Sequence, residues 1–128
     1  VGNIGGNYIS KKKQKNSEVV KSDILDNYTY NLNKNNSLIF IDAEGHEPNI
    51  FLGSKNTIKK KIPIVFEFYP SLLDKNWTKS FNLAFKNYKF FYNLRSGNKK
   101  EKFNKKNLIN LISEVNSIEG QHTDLLIV

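Results

Sequence analysis

Two short apolar runs, each with a carboxylate at its C-terminal end, do most to restrict what this chain can fold into: Ser37-Leu38-Ile39-Phe40-Ile41-Asp42 and Pro63-Ile64-Val65-Phe66-Glu67-Phe68. Continuous apolar runs of this length, bounded by turn signals, fit strands buried on both faces of a parallel sheet. The segment between them reads as helix. Pro48 suits a first helical position, and Glu47 is favourable near the positive end of the helix dipole. Ile50, Phe51 and Leu52 supply an apolar face, Gly53 ends the first turn group, and Ser54 is placed to cap a second short helix through Lys61. Strand, helix and strand make a βαβ unit.

Downstream, Leu73, Trp77, Phe81, Ala84, Phe85 and Tyr88 recur at three- and four-residue intervals, which predicts an amphipathic helix over about 72–87 covering one sheet face. Residues 89–94 are aromatic-rich and strand-like, and Ser96-Gly97-Asn98 is a turn. Leu108, Ile109, Leu111, Ile112 and Val115 mark another helix, and residues 124–128 a closing strand. Upstream, residues 1–17 read as a loop or irregular lead-in, and Asp23 or Asp26 caps a brief helix through Tyr30. The alternation predicts an α/β architecture with a mainly parallel, helix-covered sheet. At 128 residues the chain has room for one hydrophobic core and no second complete domain.

Absences narrow the chemistry. Without cysteine or methionine there is neither a disulfide framework nor a thiolate metal site. No apolar run approaches the roughly 18 to 20 residues that span a bilayer, and no secretory pattern opens the chain, so the expectation is a cytoplasmic protein with no membrane span. The net charge of +8 invites a nucleic-acid reading, but the lysines fall in separate runs and Arg95 is the sole arginine. Bidentate phosphate and base contacts lean on arginine, so the charge is assigned to solvated surface and no nucleic-acid partner is expected.

In open parallel sheets the ligand crevice lies beyond the carboxyl ends of the strands. Asp42, Glu44, His46, Glu47 and Glu67 all map to that rim, where clustered ionisable groups must be paired, solvated or used. Each has a plainer role open to it. His46 could finish a strand-to-helix turn, Glu47 could cap the helix, Asp26 could be a cap or a ligand, and Asp42 and Glu44 could pair with lysines. A hard cation could also bind the acids through oxygen, but the spacing matches no closed metal loop, and no metal is assigned.

The string Ile41-Asp42-Ala43-Glu44-Gly45-His46-Glu47, followed by Leu52-Gly53 and Ile64-Val65-Phe66-Glu67, resembles the signature of the FkbM family of S-adenosylmethionine-dependent methyltransferases. Leu25-Asp26 resembles a Leu-Asp pair that precedes this motif in the family, and Asp124 to Val128 its closing strand. The resemblance covers about Glu18 to Phe68 well and the rest loosely. It implies that residues 18–128 are the C-terminal portion of a class I (Rossmann-like) methyltransferase domain, with Ser37 to Asp42 as its fourth strand and strands five to seven following. It also implies methyl transfer from S-adenosylmethionine to a hydroxyl oxygen of a small molecule, sugar or lipid. On that reading His46 is the base, because its ordinary pKa near 6.5 suits proton abstraction at neutral pH. Asp42 and Glu44 then orient it or the acceptor, and Glu67 and Glu47 line the acceptor side.

The family's donor site rests on an earlier strand ending in an Asp-x-Gly-x-Asn-like turn, with an acid for the ribose after the next strand. Gly2-Asn3-Ile4-Gly5-Gly6-Asn7 stands too close to Leu38 for the crossovers required. The donor-binding portion is therefore expected to be absent from these residues, and the chain alone inactive. A half-sheet leaves Leu38 to Ile41 as an apolar edge, open to pairing with another chain. A non-catalytic binding or assembly module that retains half of the fold is the alternative reading.

Overall fold

The computed structural model describes residues 18–43, 45–73, 75–97, 99–117 and 122–128. Five strands form one sheet: β1 (Ile39–Ile41), β2 (Ile64–Phe68), β3 (Phe90–Asn93), β4 (Lys100–Lys102) and β5 (Thr123–Ile127), in the spatial order β1-β2-β5-β3-β4. Between β1 and β2 lie the short helices α1 (Glu47–Leu52) and α2 (Lys55–Lys59); α3 (Lys75–Phe85) joins β2 to β3, and α4 (Lys105–Asn116) joins β4 to β5. The α/β class and the βαβ unit stand.

The mainly parallel sheet does not. Only β1 and β2 pair in parallel; β2 with β5, β5 with β3, and β3 with β4 are antiparallel. Because β3 opposes β5 and β5 opposes β2, the strands β1, β2 and β3 still point the same way. The closing strand is inserted against them, so it turns two neighbouring pairings antiparallel at once. β4 adds the third as a hairpin return. Its Lys-Glu-Lys sequence carries no apolar signal, and charge of this kind suits the sheet border it forms.

Alternation along the strands sends Ile39, Ile41, Ile64, Phe66, Phe68, Phe91, Leu125 and Ile127 to one face. They form a single apolar cluster with Phe51 of α1, Ile58 of α2, Trp77, Phe81 and Ala84 of α3, and Leu108, Leu111 and Val115 of α4. All four helices therefore cover the same face. Leu72 and Leu73 lie before α3 and stay partly exposed, so that helix is shorter than its periodicity suggests.

On the other face β2 still buries Val65, but Phe40 of β1 is 66 % exposed, and Leu38 beside it 61 %. The expectation that the first apolar run is buried on both faces fails for β1, because among the described residues it has a neighbour on one side only and no helix packs over Phe40. An apolar edge of this kind templates strand pairing. Phe40→Lys is expected to change stability by less than about 0.5 kcal/mol, as an exposed position should. It should also lower self-association in concentrated solution, read by light scattering behind size exclusion; unchanged association would remove β1 as the cause.

Asp26 ties the segment just before β1 to the helices of the sheet layer. Its carboxylate accepts from the Asn56 and Thr57 backbone N–H groups at 3.0 and 2.8 Å and from the Thr57 hydroxyl at 2.7 Å. These N–H groups are among the unsatisfied donors of the first turn of α2, so Asp26 caps a helix some thirty positions later in the chain. Ser54, expected in that role, instead donates its hydroxyl to the Phe51 carbonyl at 2.9 Å.

Candidate functional site

The carboxyl ends of β1, β2 and β3 form one rim of the sheet, and the reversal of β5 brings its first residues to the same rim. Asp42 follows β1 directly and is exposed. Glu44, expected beside it, lies outside the described residues. The chain then turns at Gly45, whose φ of +89° favours glycine and where an added Cβ would stand 3.1 Å from Leu72 Cδ1.

His46 takes the N-cap position of α1. Its backbone N–H donates to the Ala43 carbonyl at 3.0 Å, and its carbonyl accepts from Asn49 and Ile50 at 3.0 and 3.2 Å. Its ring Nδ1 stands 3.4 Å from the Asn49 amide. Glu47, expected on the acceptor side, is 1 % exposed and turns back so that Oε1 accepts from the Ala43 N–H at 2.9 Å. This is a brace across the strand-to-helix turn and not the cap of α1 that the sequence left open to it, because Ala43 lies before the His46 N-cap. Asp42 and His46 remain at the rim, while Glu47 lies beneath it.

Glu67 heads a second group. It faces away from the helices and is paired across strands with Asp124. Carboxylates directly opposite one another repel. Each here has a basic neighbour: Nε2 of His122 lies 3.7 Å from Glu67 Oε1, and Nε of Arg95 lies 3.6 Å from Asp124 Oδ2. At these lengths the contacts are charge proximities rather than hydrogen bonds. His122 and Glu67 have 19 % and 15 % of their side chains exposed, so their proximity is less screened than that of Arg95 and Asp124, at 43 % and 32 %. Tyr69 stacks on the His122 ring with centroids 4.8 Å apart and planes at 23°.

Polar anchors hold this end of the sheet. The buried Thr123 hydroxyl donates to Asn93 Oδ1, which also accepts from the Arg95 N–H at 3.2 Å. The Leu94 N–H donates to the Asp124 carbonyl at 2.9 Å. The end of β3 and the start of β5 are thereby locked together.

His122, Tyr69, Asp124 and Arg95 are site residues that the sequence reading passed over. A polar residue before an apolar run signals a rim only when that strand is reversed, and nothing in the local pattern of residues 122–128 reports direction.

Two hollows of the described residues lie on the helix side, one lined by Phe85, Tyr88, Lys89 and Phe103, the other by Trp77, Phe81, Leu108 and Ile112 between α3 and α4, and neither fits S-adenosylmethionine. Neither offers an acid for a ribose, and lysine lining disfavours a sulfonium cation. The glycine-rich stretch at residues 2–7 lies outside the described residues. Among the described residues no group of three or more His, Cys, Asp or Glu could hold a metal, and no helix is long and apolar enough to cross a membrane. No protein-family model matches the chain, and neither a curated protein nor a solved structure is found to match it.

Proposed function

We propose that this chain carries the acceptor side of an FkbM-type methyltransferase, acting on a hydroxyl oxygen of a small molecule, sugar or lipid, with the donor S-adenosylmethionine held by protein outside the described residues. The observation that carries the reading is the adjacency of its two motif segments. Asp42 and His46 follow β1, and Glu67 is the last but one residue of the neighbouring parallel strand β2, so the three stand at one rim, which is where an open α/β sheet takes its ligand.

The test is transfer of isotopically labelled methyl from S-adenosylmethionine to a panel of hydroxyl acceptors, using the protein expressed with its upstream coding sequence. Turnover is expected, and Asp42→Asn should lower it by roughly 10²-fold through misplacement of the acceptor. Wild-type turnover in that variant would remove Asp42 from the site, and no transfer to any acceptor would sink the reading. The 128-residue chain alone should show no saturable binding of S-adenosylhomocysteine by calorimetry; binding in the micromolar range would overturn the division into halves.

One observation favours a second reading, a binding or assembly module. Leu38 and Phe40 are exposed at the β1 edge. A partner strand captured there, with no methyl transfer in the assay above, would move the assignment to that class.

A further inference from the structure

We propose that His122, and not His46, takes the proton of the acceptor hydroxyl at this rim, with Glu67 and Tyr69 as its positioning residues. The reaction it serves rests on the methyltransferase reading; the arrangement of the ring rests on geometry alone.

Two of three observations separate the two histidines. His122 stands immediately before β5, and because β5 runs against β1, β2 and β3, it arrives at the rim where those strands end, on the sheet face shared with Glu67. Its Nε2 is 3.7 Å from a carboxylate oxygen, so the positive charge that the ring gains with a proton has a counter-charge in place. Its plane is fixed by stacking on Tyr69. A carboxylate this close to the base stabilises the cation that proton transfer creates. His46 shares the rim but, among the described residues, neither the counter-charge nor the stacking. It is engaged in starting α1, its ring faces the Asn49 amide, and among the described residues it has no ion-pair partner.

The step itself is a single proton transfer. The hydroxyl O–H bond breaks, its electron pair stays on oxygen and becomes available for alkylation, and the proton ends on the imidazole as a cation beside Glu67. Asp124, next to Glu67 across the strands, is balanced by Arg95.

Two measurements test this, and the presence of only two histidines makes both assignable to one residue. The first is carbethoxylation of the 128-residue chain by diethyl pyrocarbonate at neutral pH in the His46→Asn background, followed by mass spectrometry. His122 is expected to react under native conditions within about tenfold of its rate in the urea-unfolded chain. Glu67→Gln and Tyr69→Leu should each change that native rate by about threefold or more, and Glu67→Asp should restore it in part. Protection of about 100-fold or more would mean a ring enclosed until the chain opens, and would overturn the proposal.

The second measurement is steady-state kinetics of the transfer-competent protein. His122→Asn and His122→Gln are expected to lower kcat by roughly 10²- to 10⁴-fold with KM little changed, and His46→Asn to lower it by less than about tenfold. The reverse ranking would overturn the assignment. A reactive His122 in a protein that transfers no methyl group would instead count against the methyltransferase reading while leaving the His122–Glu67 arrangement intact.

Discussion

Phe66→Ala is expected to destabilise the protein by about 3–5 kcal/mol, the range for a phenylalanine removed from a closed core. Phe66 is fully buried in β2, next to Glu67, and its ring meets three others. Phe51 of α1 stands edge-on at 5.0 Å, with Trp77 and Phe81 of α3 at 6.0 and 6.4 Å. One side chain thus joins the helix after β1, the helix after β2 and the strand β2 itself. Its cross-strand partners, Ile41 and Leu125, are also buried, so little can collapse into the space left. The cost should exceed the transfer term alone. Trp77 is the only tryptophan and is 2 % exposed, so its fluorescence reports opening of this core directly. The expected reading is a urea midpoint that falls while the slope is kept. Phe66→Leu, which keeps most of the volume, should cost less than half as much. Equal losses in the two variants would mean that packing around the ring is not what holds β2.

What the sequence disclosed follows from which signals are local. β2 was legible because a run between Pro63 and Tyr69-Pro70 that is apolar but for Glu67 has few other uses. Trp77, Phe81 and Ala84 recur with helical period and lie buried on α3. The carboxylates at the ends of β1 and β2 followed from the strands themselves. Direction and pairing did not. The reversal of β5, which sets His122 beside Glu67, depends on contacts between residues more than fifty positions apart. The exposure of Phe40 depends on what covers the sheet, and its own run is as apolar as the run in β2. β4 has no apolar residue to announce it. Ser54 shows a third kind of gap. Its type and position suit a cap, yet the backbone leads its hydroxyl to the Phe51 carbonyl, and a carboxylate from a distant segment takes the role.

Removal of that carboxylate should show how far α2 depends on the segment before β1. Asp26→Ala is expected to cost about 2–3 kcal/mol at neutral pH, because it deletes the cap of α2 and also strands a buried hydroxyl pair. The Thr57 hydroxyl donates to Asp26, so Thr29, buried beside it, must donate to Thr57. Without Asp26 the chain of donors has no final acceptor. Lys60 adds to the same corner by donating to the Thr29 and Tyr30 carbonyls at 2.7 and 2.9 Å. Partial burial of Asp26 works against its ionisation, but the bonds from Asn56 and Thr57, with the charge of Lys60, outweigh it and hold the carboxyl below its ordinary value. A carboxyl lowered in the folded state contributes its stability above the unfolded pKa, near 4, and loses it as pH falls through the folded value. The gap between wild type and Asp26→Ala should therefore be full at pH 7 and shrink progressively below about pH 4. Asp23, also lowered by its bonds to Asn27 and Ile24, titrates in both proteins and cancels in the difference. Urea unfolding followed at Trp77, at pH 7 and again near pH 3, reads that difference. A gap unchanged between the two would mean that Asp26 serves α2 by its shape and not by its charge.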